Sequence, residues 1–70
     1  MLLAVKNRLK KIRHELEIDT QTEMAKHLGV ARNQYNRYEN QDKQPTLEIA
    51  LRIAQKLNKP LEHIFYLEPD

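Results

Sequence analysis

The chain is short, weakly basic and free of cysteine, with 70 residues and a formal net charge of +2. This length allows one small domain, and without cysteine neither a disulfide framework nor a thiolate zinc site can support the core. The apolar run Leu2 to Val5 is too short to cross a membrane, and no signal-peptide pattern is visible. We therefore expect one domain over residues 1–70, without membrane association and too small for most enzymes.

The composition favours helices, because a fold of many strands needs more turn residues than one glycine and three prolines supply. Apolar residues at spacings of four, three and four predict an amphipathic first helix over Lys6 to Glu17. The residues of this apolar stripe are Val5, Leu9, Ile12 and Leu16. We expect the basic run of this helix to form a solvated face.

The second helix is predicted over Gln21 to Leu28. Thr20 with Glu23 makes a capping box at its start. Gly29 follows directly as the helix-ending residue, because glycine adopts the left-handed conformation there at little cost.

The third helix is predicted from Ala31 or Arg32 to about Asn40, and almost all of its residues are polar. Its apolar stripe consists of Ala31, Tyr35 and Tyr38, and we expect the two tyrosines to lie in the core. A solvated helix is usually rich in Glu and Lys, whereas this one is rich in Asn, Gln and Arg. The pattern indicates a helix that presents a recognition surface.

The remaining elements complete a bundle. Thr46 is expected to cap a fourth, strongly apolar helix over Leu47 to Leu57, and a short fifth helix is expected over Leu61 to Ile64. Leu2 to Val5 is expected to pair beside Phe65 to Leu67. The predicted fold is therefore all-α, a five-helix bundle with a small pair of terminal strands.

Two short helices joined by a tight turn containing glycine form a helix-turn-helix, here at about residues 20–40. The second helix of such a unit lies in the major groove of DNA. Arginine reads guanine there by paired hydrogen bonds, and asparagine and glutamine read adenine. The predicted base-contacting residues are Arg32, Asn33, Gln34, Asn36 and Arg37.

Four separated segments resemble the phage repressor and Cro type of helix-turn-helix regulator. They are Thr20 to Ala25, Leu28 to Val30, Tyr38 to Asn40, and Pro45-Thr46-Leu47 through Ile53-Ala54. The similarity covers roughly residues 5–65, and it is greatest to short single-domain regulators. It implies binding to a double-stranded DNA operator as a transcriptional regulator, with a repressor expected, in the cytoplasm of a prokaryote or from a phage.

The resemblance also implies individual roles. It places Arg32, Asn33 and Arg37 at base edges, and Gln34 and Asn36 at sites that contact bases or phosphates. The residues that it places at DNA phosphates are Gln21, Asn40 and Lys43. It implies a buried structural ion pair between Arg13 and Glu39.

The sequence departs from the family pattern at three places. Gln41 stands where glycine is usual, so the bend after the third helix should form less easily. Ala31 replaces the usual Ser or Thr at the start of that helix, which should cost about 0.5–2 kcal/mol of capping energy. The loop after the first helix is one residue longer and has no glycine.

We expect a two-fold homodimer, because one recognition helix gives limited specificity. The fourth helix, the fifth helix and the tail carry more apolar residues than one small core needs. The predicted interface residues are Ile49, Leu57, Leu61, Ile64, Phe65, Tyr66 and Leu67.

The sequence gives no indication of catalysis. The histidines His14, His27 and His63 lack metal-ligand spacing, no carboxylate is paired within an apolar setting that would tune its pKa, and there is no glycine-rich phosphate loop. We expect no enzymatic activity, cofactor, metal or small-molecule ligand. Two alternative functions remain at this stage, namely the antitoxin of a toxin–antitoxin pair and a protein-interaction module that does not bind DNA.

Overall fold

Five helices lie between two short strands in the computed structural model, which describes residues 3–69. The elements in chain order are β1 (Leu3–Asn7), α1 (Leu9–Glu15), α2 (Gln21–Leu28), α3 (Arg32–Glu39), α4 (Leu47–Leu57), α5 (Leu61–Ile64) and β2 (Phe65–Pro69). This arrangement confirms the predicted five-helix fold with a pair of terminal strands. Among residues 3–69, no helix has the length and apolar character needed to span a bilayer.

The strands β1 and β2 form an antiparallel two-stranded ribbon in which Val5 lies opposite Leu67. The ribbon is longer than expected, because it extends to Asn7 and Pro69, while Leu2 lies outside the described residues. Residues alternate between the two faces of a strand. Val5 and Leu67 therefore share one face of the ribbon, and Tyr66 lies on the other.

The predicted bounds of the first helix, Lys6 to Glu17, are wrong at both ends. Lys6 belongs to β1, and α1 begins at Leu9, whose N–H donates to the side-chain oxygen of Asn7 (3.1 Å). The helix ends at Glu15, and Glu17 adopts a left-handed conformation with φ +58°. The amphipathic period continues past both ends, but strand pairing and this bend set the limits.

The ends of α2 and α4 agree with their sequence signals. Thr20 Oγ accepts a hydrogen bond from the N–H of Glu23 (3.1 Å), and Thr46 accepts one from the N–H of Ile49 (3.3 Å). Gly29 closes α2 with φ +72°, and Asn58 closes α4 with φ +55°. The two threonine side chains satisfy N–H groups that the first turn of a helix leaves free.

The core lies where α1, α2, α3, α4 and α5 meet. Its largest fully buried side chains are Tyr35, Leu9, Met24, Ile53 and Ile64. Tyr35 and Tyr38 are both buried, as predicted for the thin apolar stripe of α3. Because α3 packs through these two aromatic rings, its opposite face remains at the surface.

Candidate nucleic-acid interface

The helices α2 and α3 are joined by a three-residue turn over residues 29–31. The N–H groups of Gly29 and Val30 donate to the carbonyls of Lys26 (3.2 Å) and Ala25 (2.9 Å), so the turn completes the hydrogen bonding of the end of α2. Ala31 stands at the start of α3 in an extended conformation and makes no side-chain capping bond. The turn is thus fixed mainly by its contacts with α2, and α3 starts without a side-chain cap.

One face of α3 presents polar side chains to solvent. Arg32, Asn33 and Arg37 are exposed, and Asn36 is half-buried. These residues are spaced by one turn of a helix, so they lie side by side on one surface. This surface offers two guanidinium groups and two amides, which are the groups suited to hydrogen bonding with base edges.

Gln34 lies differently from the other predicted base-contacting residues. It is half-buried, and its Oε1 atom is enclosed and accepts no hydrogen bond from any part of residues 3–69. The side chain borders a cavity of about 270 Å³ between α3 and α4, which Ile49 and Ile53 also line. The structure therefore brings Arg32, Asn33, Asn36 and Arg37 together on one surface. The Gln34 oxygen is instead enclosed beside the cavity between α3 and α4.

The buried face of α3 is anchored by Glu39. The Nε and Nη2 atoms of Arg13 donate to the two carboxylate oxygens of Glu39, both at 3.0 Å. The Tyr35 hydroxyl also donates to Glu39, and so does the Gln21 amide (3.0 Å). The Glu39 side chain is only 1% exposed and that of Arg13 only 10%. These contacts connect α1, α2 and α3 through one carboxylate.

Arg13 makes two further bonds. Its Nη1 atom donates to the carbonyls of Ile18 and Asp19, each at 3.1 Å. The same guanidinium therefore closes the longer loop after α1, in which Glu17 takes the left-handed conformation. A loop without glycine is stabilised here by a side chain from the helix that precedes it.

The Glu39 contacts change the pKa values of the groups involved. Burial by itself raises the pKa of Glu39, but the hydrogen bonds from Arg13, Tyr35 and Gln21 outweigh it and hold that pKa below its ordinary value. The hydrogen bond to Glu39 raises the pKa of Arg13. Burial, and then the hydrogen bond to Glu39, raise the pKa of Tyr35. Glu39 is therefore ionised and Arg13 protonated at neutral pH.

We expect the folded protein to lose stability in acid through Glu39. Because the pKa of Glu39 is lower in the folded state, its stabilising contribution is complete above about pH 4.5 and is lost as the pH falls through the lowered value. One proton gives a slope of at most about 1.4 kcal/mol per pH unit. Urea unfolding at several pH values should give a shallower acid slope for Glu39→Gln than for the wild type. Parallel slopes would contradict this assignment.

Gln21 takes part in the Glu39 contacts rather than lying free at the surface. Its Nε2 atom donates to Glu39, and the residue is half-buried at the start of α2. The resemblance implied a phosphate contact for this residue. In the free protein its amide links the first turn of α2 to the last turn of α3.

The loop after α3 bends at Gln41, which takes the left-handed conformation with φ +64°. Gln41 therefore adopts the geometry that is usual for glycine, although the bend was expected to form less easily with glutamine. Asn40 and Lys43 are exposed on this loop, beside the polar face of α3. The predicted phosphate-contacting residues Asn40 and Lys43 thus lie next to the predicted base-contacting surface.

Two residues near this loop, Asn7 and its hydrogen-bond partner Gln44, were not predicted from the sequence. Asn7 is buried, and its side-chain amide donates to the Tyr38 carbonyl and to the Gln44 side chain, each at 2.8 Å. Asn7 stands two residues before Leu9, a spacing at which asparagine often accepts from the first turn of a helix. The sequence contains that signal, but the predicted first helix began at Lys6 and therefore included Asn7 as a helical residue.

The predicted interface residues do not form one surface. Ile64 is fully buried in the core, so it offers no surface to a second chain. Ile49 borders the cavity beside Gln34, and Tyr66 lies under the guanidinium of Arg8, 4.2 Å from the ring centre. Leu57, Leu61 and Phe65 are half-buried against the core, and Leu67 is 62% exposed.

A second apolar surface was not foreseen in this form. Val5, Leu47, Leu61 and Phe65 line a groove between the ribbon and α4. Leu47 is 68% exposed and Leu67 62%, so both side chains leave apolar surface in contact with water. We call the surface formed by Val5, Leu47, Leu61, Phe65 and Leu67 the apolar ribbon face.

No group of three or more His, Cys, Asp or Glu side chains that could hold a metal occurs within residues 3–69. The available chemistry is hydrogen-bond donation and positive charge, from Arg32, Arg37 and Lys43. Such a surface is suited to binding an anionic polymer that has hydrogen-bonding edges.

A family model described as helix-turn-helix matches residues 9–64, which is most of the chain and includes all five helices. A search of curated proteins found no match. The matched range begins at the first residue of α1 and ends at the last residue of α5, so the two strands lie outside it.

Proposed function

Since the chain belongs to the Cro/C1-type helix-turn-helix family of DNA-binding transcription regulators, we propose that it is a sequence-specific repressor that binds a palindromic operator as a homodimer. In this proposal α3 enters the major groove, and α2 crosses the DNA backbone. The protein represses by occupying the operator and excluding polymerase. It acts in the cytoplasm of a prokaryotic cell, encoded by the cell or by a phage.

The observation that carries the proposal is the exposed polar face of α3 on a rigidly held helix. Arg32, Asn33, Asn36 and Arg37 supply the direct readout, because their donors can pair with guanine and adenine edges. On the opposite, buried face of α3, Tyr35, Tyr38 and Glu39 hold the helix against the rest of the protein. Asn40 and Lys43 supply the phosphate contacts that fix the register of the protein on the duplex.

The most informative experiment is selection of bound sequences from a random duplex pool. A repressor of this kind should enrich two half-sites related by a dyad and about one helical turn apart. Affinity should fall steeply with salt, because each phosphate contact releases counterions. Recovery of no consensus, with affinity that does not depend on salt, would favour a protein-interaction module instead.

The second copy of the chain is proposed to lie on the apolar ribbon face. Two recognition helices about 34 Å apart are needed to reach successive major grooves. The apolar ribbon face consists of the groove residues Val5, Leu47, Leu61 and Phe65 together with Leu67, which lies opposite Val5 on the ribbon, so a second ribbon could bury all of them together.

We expect analytical ultracentrifugation at micromolar concentration to give twice the monomer mass of 8.4 kDa. Leu67→Lys should shift the protein toward the monomer, because it places a charge in the apolar contact. Leu16→Lys is the matched control, since Leu16 is also an exposed leucine, 45% accessible, at the far end of α1. A clean wild-type monomer that still bound a non-palindromic site would contradict the homodimer.

A further inference from the structure

The bend after α3 is made by a residue that rarely adopts its conformation. Gln41 has φ +64°, in the left-handed region, where side chains other than glycine, asparagine and aspartate are uncommon. Such a conformation persists when the surrounding structure holds it in place. The contacts of the Gln41 side chain show what holds this one.

The Gln41 amide pairs with the main chain of Asn7, the last residue of β1. Its Oε1 atom accepts from the Asn7 N–H (3.1 Å), and its Nε2 atom donates to the Asn7 carbonyl (2.9 Å). A neighbouring strand would satisfy a residue in the same way. One side chain therefore fills the place of a strand at this residue and satisfies two main-chain groups.

The side chains of Asn7, Gln41 and Gln44 form a closed set of hydrogen bonds, which we call the amide triad. Asn7 Nδ2 donates to Gln44 Oε1 (2.8 Å), Gln44 Nε2 donates to Gln41 Oε1 (3.0 Å), and Gln41 Nε2 donates to Asn7 Oδ1 (3.4 Å). Asn7 Nδ2 also donates to the carbonyl of Tyr38, in the last turn of α3 (2.8 Å). The triad therefore joins β1 to the end of α3 and to both ends of the loop that follows it.

The main chain of the loop is fixed from the other side by α3. The N–H groups of Asp42 and Lys43 donate to the carbonyl of Arg37, at 2.9 and 3.3 Å. This return of the chain requires the left-handed turn at Gln41. Asn40 and Lys43 remain exposed, while other groups of the loop form hydrogen bonds with α3 and β1.

We infer that the amide triad positions the loop over residues 40–44 for contact with DNA phosphates, so that Asn7 and Gln41 are positioning residues for DNA binding. The inference rests on the proposed phosphate contact of Lys43. A loop held in its binding conformation before DNA arrives avoids the entropy cost of ordering it on binding. The strand β1 thereby contributes to DNA affinity although it lies outside the predicted DNA surface.

The test is Gln41→Gly, which removes the amide but adopts the left-handed turn more easily than glutamine. The variant should fold, and its affinity for duplex DNA should fall about three- to tenfold, with the base preference unchanged. Amide hydrogen exchange of Asp42 and Lys43 in the free protein should become faster. Asn58→Gly is the matched control, because Asn58 is also a neutral left-handed residue, with φ +55°, and lies at the end of α4. It should leave affinity unchanged.

The double variant Gln41→Gly with Lys43→Ala separates the two claims. If Gln41 acts through the phosphate contact, Gln41→Gly should have little further effect on affinity in a protein that already carries Lys43→Ala. Additive effects of the two substitutions would overturn the inference, and so would wild-type affinity of Gln41→Gly alongside weak binding by Lys43→Ala. If Lys43→Ala changed neither the affinity nor its salt dependence, the proposed phosphate contact would fail, and the inference with it.

Discussion

Glu39→Ala is expected to lower the free energy of unfolding by about 3–5 kcal/mol, because it leaves the buried guanidinium of Arg13 without its partner. Arg13 would lose both 3.0 Å hydrogen bonds to the carboxylate while remaining only 10% exposed. Tyr35 and Gln21 would lose an acceptor as well. Small domains have about 5–15 kcal/mol of stability in total, so this loss is a large part of it.

Glu48→Ala is the control for this result. Glu48 pairs with Arg52 one turn further along α4, also at 3.0 Å, but both side chains are more than 70% exposed. A pair of this kind contributes about 0.3–0.5 kcal/mol. Urea unfolding of the two variants should therefore differ by several kcal/mol. Equal effects would show that the Arg13–Glu39 pair stabilises no more than a surface pair.

A double substitution tests the cause of the loss. In Arg13→Met with Glu39→Leu, both charges are replaced by apolar groups, so no buried charge is left unpaired. Much of the stability lost in Glu39→Ala should then return. If the double variant were as unstable as Glu39→Ala, the network itself, rather than the unpaired charge, would account for the effect.

Arg32→Ala is expected to cost about 1–3 kcal/mol of binding free energy per half-site on the preferred sequence and to relax the preference at one base position. The reason is that a bidentate arginine contact distinguishes guanine from the other bases, and Arg32 is exposed on the outer face of α3. A dimer would lose this contact in both half-sites. Binding titrations on the selected site and on single-base variants measure the effect.

The control for Arg32 is Lys56→Ala, which also removes one exposed positive charge but lies in the last turn of α4. It should weaken binding slightly and equally on all sequences, because a distant charge carries no sequence information. An Arg32→Ala variant with an unchanged base preference would show that α3 does not contact the bases in the proposed way.

The two results also separate folding from recognition. Glu39 lies on the buried face of α3 and Arg32 on its exposed face, and no direct hydrogen bond joins them among the described residues. A variant at Glu39 that remains folded should lose affinity without a change of base preference. A variant at Arg32 should lose preference without a change in melting temperature. The recognition helix thus has a structural face and a reading face that can be altered independently.

The helix-turn-helix could be predicted from the sequence because its signals are local. Thr20 and Thr46 cap helices through atoms three residues away, and Gly29 ends α2 by its own conformational freedom. The polar composition of α3 identified its outer face for the same reason, since helical spacing alone places Arg32, Asn33, Asn36 and Arg37 together. Such features depend on neighbouring residues and were predicted with the correct bounds for α2, α4 and α5.

Only the tertiary structure decided the features that join distant parts of the chain. Lys6 and Asn7 fit the helical period of α1, yet they lie in β1 because Tyr66 and Phe65 pair with them. Gln34 follows the same polar pattern as its neighbours, yet its amide oxygen lies enclosed between α3 and α4. The bend at Gln41 is held by Asn7, 34 residues earlier. Periodicity and capping report on contacts within a few residues, whereas these contacts form only when the packed bundle brings the chain ends and the loop together.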